Sequence, residues 1–184
     1  MIEGKLVNLR PREMTDLERM HRWINDREVT RYLGVRYQMS LAAEEKWLSD
    51  HISQPMAYDR VSFCIETRDG VTIGSIDFHH IVPEERKARL GVMIGEKDYW
   101  SKGYGTDAMV TFCRFGFDDM NLNRIDLTVF DGNERAIACY RKCGFVEEGR
   151  LRQDRYSRGQ YSDTLIMGLL RDEFYALHGA SDGK

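Results

Sequence analysis

The middle of the chain runs from an apolar strand through a glycine-rich turn into an apolar helix, and this order restricts the fold more than any other feature. Residues 88–94, ARLGVMI, have the composition of a strand. The turn 102–106, KGYGT, follows, and residues 107–117 then repeat apolar side chains at helical spacing. A strand that leads into a helix in this way is the building unit of α/β proteins, so an α/β fold is predicted.

The other predicted elements place this unit in a larger sheet. We expect a central mixed, mostly antiparallel sheet flanked by helices, because hairpin-like strands precede the strand–helix units. Residues 15–18, TDLE, fit a capping box that opens the first helix, and residues 68–70, RDG, suit a tight hairpin turn. The predicted strands are 5–10, 60–66, 71–79, 88–94, 124–130, 145–151 and 162–170. Three further helices are predicted: one begins near Ser40, and the others span 133–142 and 171–177.

Composition limits the class of protein. The 184 residues are 42% hydrophobic and 31% charged, which suits a single domain over residues 1–184 with a flexible tail at 178–184. A formal net charge of -3 gives no global field for nucleic acid, and no apolar run reaches the ~18 residues of a membrane span. The four cysteines form no CxxC pair, so we expect reduced thiols in a cytoplasmic protein.

Two motifs contain residue types that bind ligands. Gly103 and Gly105 stand before the predicted helix, where backbone N–H groups and the helix dipole favour a phosphate, although such turns also serve only to let a strand enter a helix. Asn133, Ala136 and Tyr140 share one helix face, because their spacing is i, i+3 and i+7. A ligand can lie along that face, or Asn133 can simply cap the helix while Tyr140 packs.

Four segments follow one another in order along the chain. They are ARLGVMI at 88–94, WSKGYGTDA at 100–108, NERAIACY at 133–140 and KCGFVEEGR at 142–150. Together they resemble the GNAT N-acetyltransferase superfamily, and LRP at 9–11 and DTLIMGLL at 163–170 extend the similarity over nearly the whole chain. The sequences NERAI and EGRLR are most similar to the branch that contains ribosomal-protein N-terminal acetyltransferases and spermidine acetyltransferases.

The resemblance implies a GNAT fold and acetyl-CoA as the acetyl donor. It also implies that residues 92–94 pair with the pantetheine arm, that the glycine turn holds the pyrophosphate, and that Asn133 contacts the cofactor arm while Tyr140 lies beside its sulfur. The cofactor-binding residues expected from the resemblance are Val92, Met93, Ile94, Ser101, Lys102, Gly103, Tyr104, Gly105, Thr106, Asn133 and Tyr140.

Acetyl transfer from a thioester to an amine sets the catalytic roles. An amine is mostly ammonium at neutral pH, so a base must act before it attacks the thioester directly, without a covalent acetyl-enzyme. A backbone N–H at Val92 or Met93 is the expected oxyanion donor, and Tyr140 is the expected acid for the leaving thiolate. The candidates for the base are His79, with Asp77 and His80 near the end of the same strand and Glu84 or Glu85 in the following loop. A pair of His residues at a strand end is more often structural or exposed, so that alternative stays open for His79.

The chain departs from the family pattern at three positions. Trp100 stands where Gln or Arg is usual, so Lys102 is expected to supply the positive charge. Arg89 stands where relatives often carry Glu, and Thr128 stands where some protein-directed members carry a carboxylate. The sequence therefore does not decide whether the acceptor is a protein N-terminus, a polyamine or an amino sugar. The alternative function is that of a non-catalytic acyl-CoA-binding sensor.

Three further expectations concern partners and ligands. No metal site is expected, because Cys139 with Cys143 and the pair at 79–80 lack matching ligands. Tyr156 and Tyr161 either line the acceptor pocket or bridge two strands. A second copy of the chain, in a homodimer or higher homo-oligomer, is the expected macromolecular partner besides a protein acceptor, and neither nucleic acid nor a membrane is expected.

Overall fold

The computed structural model describes residues 1–53, 60–157 and 159–179. Within these residues eight strands form one sheet in the order β1-β2-β3-β4-β5-β6-β8-β7. The strands are β1 (Ile2–Glu3), β2 (Val7–Arg10), β3 (Arg60–Thr67), β4 (Thr72–Val82), β5 (Lys87–Ile94), β6 (Arg124–Phe130), β7 (Val146–Ser157) and β8 (Gln160–Leu170). The helices are α1 (Leu17–Asn25), α2 (Leu41–Ile52), α3 (Tyr104–Asp118), α4 (Glu134–Cys143) and α5 (Arg171–His178).

One pair of strands gives the sheet its mixed character. All neighbouring strands are antiparallel except β5 and β6, which are parallel and pair only where Lys87–Arg89 face 124–126. Beyond that point β5 continues to Ile94 and β6 to Phe130 without pairing to each other. The strands therefore separate, and the sheet opens between them. The predicted mixed, mostly antiparallel sheet flanked by helices is confirmed.

The two faces of the sheet carry different side chains. Leu90 of β5 and Leu127 of β6 point into a core beneath α3, α4 and α5, where Phe112 and Phe117 are fully buried. A smaller cluster on the opposite face contains the buried Trp23 and residues of α1 and α2. Side chains alternate along a strand, so a second set from the central strands faces α1. The members of that set are Asp77, His79, Arg89, Met93, Asp126, Thr128 and Phe130.

Two predicted helix starts are wrong. The helix predicted from residue 107 begins at Tyr104, because Gly103 takes a φ of +91° and ends the turn there. The capping box expected at residues 15–18 is absent from the described contacts. Thr15 instead lies in a short 3-10 turn that precedes α1, and the Asp16 carboxylate accepts the Glu13 N–H at 3.0 Å. Asp16 thereby satisfies the free Glu13 N–H, and the first helical turn begins at Met14, earlier than the pattern predicts.

The end of the chain is more ordered than predicted as far as it is described. Strand β7 runs to Ser157 rather than to Leu151, and β8 begins at Gln160. His178, expected in the tail, is the last residue of α5, and its Nε2 lies 3.1 Å from the Cys143 carbonyl oxygen. Residues 180–184 of the predicted tail lie outside the described residues. Among the helices that are described, none is both long and apolar enough for a membrane crossing.

Candidate active site

A cleft of about 1290 Å³ passes through the opening between β5 and β6. Tyr140 lines it from α4, on the helix-covered core face, and His79 lines it from β4, on the face that carries α1. Clefts that hold one small molecule measure ~300–1,000 Å³, so this one has room for two substrates. A molecule on either face can therefore reach the same point within the sheet.

The unpaired edge of β5 offers backbone groups to the cleft. The Ile94 carbonyl accepts the Trp100 indole N–H at 2.7 Å, away from β4. The Met93 carbonyl is directed at β4, because a Cβ at Gly74 would stand 2.2 Å from it. Backbone groups of successive residues point to opposite edges of a strand, so the Val92 N–H and carbonyl face the opening and those of Met93 do not.

This geometry separates the two predicted oxyanion donors. Val92 presents an N–H to the cleft, as a donor to a developing oxyanion requires. The Met93 N–H pairs on the β4 side, and the Met93 side chain packs against the smaller cluster under α1. Of the two predicted oxyanion donors, the strand geometry therefore gives Val92, and not Met93, an N–H that faces the cleft.

The start of α3 forms the anion-binding part of the cleft. The N–H groups of a first helical turn have no acceptor inside the helix, and they lie at the positive end of its dipole. Gly103 is the N-cap and provides no side-chain acceptor, which leaves these N–H groups available to a ligand. Of the predicted turn, Ser101, Gly103, Gly105 and Thr106 line the cleft. They suit a pyrophosphate.

A cation lies on the ring of Trp100 at this end of the cleft. The Arg135 guanidinium, in the first turn of α4, lies 3.7 Å from the centre of the Trp100 ring. Both residues line the cleft, whereas Lys102 and the side chain of Tyr104 do not. The cation that lies on Trp100 at this end of the cleft is therefore Arg135, and Lys102 lies outside the lining. Tyr104 packs against Tyr99, with 5.1 Å between ring centres, and contributes its backbone to the first turn.

Helix α4 presents Asn133 and Tyr140 to the same cleft. The Asn133 Oδ1 accepts the Ala136 N–H at 3.3 Å, so Asn133 caps the helix, and its side-chain NH₂ is left for a ligand. Burial raises the pKa of the Tyr140 phenol, and the neighbouring thiols of Cys139 and Cys143 raise it further. The phenol therefore stays protonated at neutral pH and can act as a donor.

Cys139 is the unusual thiol of the chain. Its pKa is lowered, because hydrogen bonds from the Cys143 thiol and from the Thr106 hydroxyl, at 3.3 Å, outweigh the effect of burial. Burial raises the pKa of Cys64 and Cys113, and the hydrogen bond to Cys139 raises that of Cys143. All four cysteines are free, and of the four only Cys139 lines the cleft.

His79 has the geometry of an oriented base. Its Nδ1 lies 3.0 Å from the Asp77 carboxylate, which lies 3.5 Å from the Arg60 Nε. An ionised carboxylate accepts hydrogen bonds and donates none, so in the neutral imidazole Nδ1 carries the hydrogen and Nε2 is the acceptor. Because Asp77 does not line the cleft and His79 does, the imidazole is the group that an acceptor amine can meet.

The other base candidates lie away from the cleft. His80 lines a smaller surface cavity with Arg60, and Glu84 and Glu85 lie in the turn after β4. Tyr156 and Tyr161 are exposed and face each other across β7 and β8 with 5.0 Å between ring centres, so they bridge two strands rather than line the cleft. Within residues 1–53, 60–157 and 159–179, no three His, Cys, Asp or Glu side chains are grouped to hold a metal ion.

The sequence of residues 7–146 matches the family model of the acetyltransferase (GNAT) domain. The chain belongs to the GNAT acetyltransferase family. It is an N-acetyltransferase that uses acetyl-CoA as its acetyl donor, and the transfer is to an amine. The opening between β5 and β6 and the free start of α3 are the features of this GNAT domain that fit such a donor.

Several relatives of this GNAT protein are named for their acceptors. A spermidine N(1)-acetyltransferase of Escherichia coli (strain K12) is 30% identical over 172 residues, which cover 94% of this chain and 90% of that protein. A putative ribosomal N-acetyltransferase of Bacillus subtilis (strain 168) is 33% identical over 106 residues, covering 58% of this chain and 57% of that protein. The crystal structure of a Vibrio cholerae spermidine N-acetyltransferase with CoA and spermine has a TM-score of 0.83 at 27% identity, covering 92% and 98% of the two chains.

Two residues that line the cleft of this GNAT enzyme are not predicted as site residues from the sequence. Arg135 lies inside the NERAIACY segment, but its position over Trp100 depends on a contact 35 residues away in sequence. The Tyr32 hydroxyl donates to the Gly132 carbonyl at 2.9 Å and so joins the segment after α1 to the turn after β6. No sequence pattern near either residue indicates its contact, because both contacts form between elements that are far apart in the sequence. Tyr32 closes one side of the cleft.

Proposed function

We propose that the acetyl group passes directly from acetyl-CoA to a primary amine within the opening between β5 and β6. The observation that carries this proposal is that Tyr140 and His79 line one cleft from opposite faces of the sheet. An acid beside the thioester sulfur and a base beside the amine are the two groups that this transfer needs. The opening lets them act on opposite sides of one carbonyl carbon.

Each residue then has one role. The Nε2 of His79 takes a proton from the acceptor ammonium, and the freed nitrogen forms its bond to the acetyl carbon. The Val92 N–H donates a hydrogen bond to the carbonyl oxygen as negative charge develops there. Tyr140 gives its phenolic proton to the sulfur as the carbon–sulfur bond breaks, and the second proton of the attacking nitrogen restores the phenol through solvent as the amide forms. His79 releases the proton of the ammonium to solvent, so the transfer yields the N-acetyl amide, the CoA thiol and one proton.

The first turn of α3 and Arg135 support binding of the donor rather than chemistry. Backbone N–H groups at residues 104–106 and the guanidinium stacked on Trp100 suit the negative pyrophosphate of acetyl-CoA. The unpaired edge at Val92 suits the amide groups of the pantetheine arm, which would add to β5 as a strand does. These contacts fix the donor while the acceptor enters from the α1 side.

The acceptor class has support from two directions. The names of the Escherichia coli and Vibrio cholerae relatives support a polyamine, and the name of the Bacillus subtilis relative supports a ribosomal protein. The mechanism itself requires only a primary amine that reaches His79. A protein N-terminus, a polyamine and an amino sugar all meet that requirement.

A second route deserves comparison, because Cys139 lines the cleft with a lowered pKa. In that route the Cys139 thiolate attacks the acetyl carbon, releases CoA and holds the acetyl group as a thioester until an amine displaces it. Direct transfer differs in one measurable respect, since it releases no CoA and acetylates no cysteine before an amine is added.

The test follows thiol release from acetyl-CoA with the full chain, with and without a panel of N-terminal peptides, polyamines, amino sugars and amino acids. We expect CoA to appear only with an amine, together with one molecule of N-acetylated product for each CoA, and the intact mass of the protein to stay unchanged. A burst of CoA and an acetylated Cys139 without an amine would establish the cysteine route. Tight acetyl-CoA binding with no turnover of any amine would indicate the sensor function.

A further inference from the structure

On the acceptor side of the cleft, two residues of the central strands line the cleft while the carboxylates paired with them do not. His79 and Arg89 line the cleft, whereas their partners Asp77 and Asp126 do not. The Arg89 Nε lies 2.6 Å from the Asp126 carboxylate, which is 15% exposed and lies behind it. A molecule that enters from the α1 side therefore meets an imidazole and a guanidinium before it meets either carboxylate.

Arg155 of β7 adds a cation without a carboxylate partner. Its guanidinium lies 4.4 Å from the centre of the Phe130 ring, at the end of β6, and the residue is half-buried. No ion pair or hydrogen bond of Arg155 occurs among the residues that the structure describes. Stacking on an aromatic ring holds the planar fork in place, and such a fork binds a carboxylate or a phosphate through two parallel hydrogen bonds.

Two of the carboxylates that line the cleft have partners of their own. The Asp154 carboxylate accepts the Thr164 hydroxyl at 2.7 Å. Glu28 is paired with Lys97 at 2.9 Å. Lys97 neutralises the charge of Glu28, whereas the Thr164 hydroxyl orients Asp154 and leaves its charge in place. An ammonium group placed beside Arg155 would meet a guanidinium that no carboxylate of the described residues pairs.

We propose that the acceptor amine carries an anionic oxygen group, a carboxylate or a phosphate, on the same molecule, and that Arg155 binds this group. The inference rests on the proposed acetyl transfer and narrows its acceptor class. Arg155 lines the same cleft as His79, so an acceptor long enough to reach both presents its amine to the base and its anion to the guanidinium. Acceptors of this kind include amino acids, amino phosphates and peptides whose N-terminal residues are acidic.

The test compares four primary amines that differ at the far end. Butylamine ends in a methyl group, putrescine in a second ammonium, 4-aminobutyrate in a carboxylate and 2-aminoethyl phosphate in a phosphate. We expect kcat/KM for the better of the two anionic amines to exceed that for putrescine by about 10–100-fold, as a charge-assisted hydrogen bond provides. The one that is preferred identifies the anion.

Variants assign the preference to Arg155. Arg155→Gln should abolish the preference for the anionic amine, and Arg155→Lys, which keeps the charge but loses the fork, should retain part of it. Arg141→Gln is the matched control, because Arg141 lies on α4 outside the cleft and is paired with Glu147 at 3.7 Å. That control should keep the full preference. The affinity for acetyl-CoA, measured for each variant, shows that the fold is intact.

The outcomes separate this inference from the function on which it rests. If putrescine is the best of the four acceptors, or if Arg155→Gln and Arg155→Lys keep the anionic preference, the inference is overturned while acetyl transfer to amines stands. Failure of all four amines and of the wider panel, with acetyl-CoA still bound, overturns the proposed function and this inference with it.

Discussion

Replacing Tyr140 with phenylalanine is expected to lower kcat by about 10²–10⁴-fold, the range that a positioned acid contributes. The substitution removes one hydroxyl and keeps the ring that packs near Phe145, with 6.2 Å between ring centres. No hydrogen bond from that hydroxyl to the described residues supports the fold. The dissociation constant of acetyl-CoA should therefore stay nearly unchanged. Stopped-flow turnover and calorimetric binding measure the two effects separately.

The raised pKa of Tyr140 also predicts how the activity depends on pH. A phenol whose pKa lies above its ordinary value of about 10 keeps its proton throughout the neutral range, so its ionisation causes no loss of activity below about pH 10. Tyr156→Phe is the control, since that phenol is exposed outside the cleft, and it should leave kcat and the dissociation constant as they are. Equal kcat in Tyr140→Phe and the native enzyme would remove Tyr140 from the acid role.

Replacing Arg10 with methionine should cost about 3–5 kcal/mol of unfolding free energy, because it leaves a buried carboxylate without its cation. The Arg10 guanidinium donates to both oxygens of Asp16, at 2.7 and 2.9 Å, and to Glu66 and Thr72, each at 2.6 Å. Asp16 is 2% exposed and directly precedes α1, so this network joins the helix to three strands. Urea denaturation measures the loss.

The same network predicts a dependence on pH. Burial raises the pKa of Asp16, but hydrogen bonds from Arg10 and from the Glu13 N–H outweigh it, and the folded pKa lies below the ordinary value. A lowered folded pKa stabilises the protein above the unfolded value of about 3.9, and this stabilisation is lost as the pH falls through the folded pKa. The difference between native protein and Arg10→Met should accordingly be full at neutral pH and shrink in acid.

Arg68→Met provides the comparison for Arg10. Arg68 is half exposed at the turn between β3 and β4, where it is paired with Glu3 at 3.5 Å. An exposed pair contributes about 0–1 kcal/mol, so this variant should lose little stability at any pH. A loss equal to that of Arg10→Met would show that the Asp16 network is not what joins α1 to the sheet.

The sequence predicts those parts of the site that depend on local spacing. Gly103 stands directly before a helix, and Asn133 and Tyr140 share a helix face, so their places in one cleft follow from turn and helix geometry. The alternation of β4 likewise places Asp77 and His79 on one face. These short-range rules, with the four ordered segments, were sufficient for the fold class.

The remaining features depend on contacts between distant elements. The opening exists because the parallel pairing of β5 and β6 ends at Arg89, and no local pattern marks that point. The same is true of Arg135 over Trp100 and of Arg155 over Phe130. Whether the Val92 or the Met93 N–H faces the cleft depends on which backbone groups of β5 form hydrogen bonds with β4. The residue types contain no information about this.

The central claim is that acetyl-CoA occupies the opening with its sulfur beside Tyr140. A crystal structure of the full chain with CoA tests it most directly. We predict that the pantetheine arm lies along β5 and bonds to Val92, that the pyrophosphate meets the first turn of α3, and that the sulfur lies within hydrogen-bond distance of the Tyr140 hydroxyl. CoA bound outside the opening, or a sulfur separated from Tyr140 by another side chain, would contradict the account.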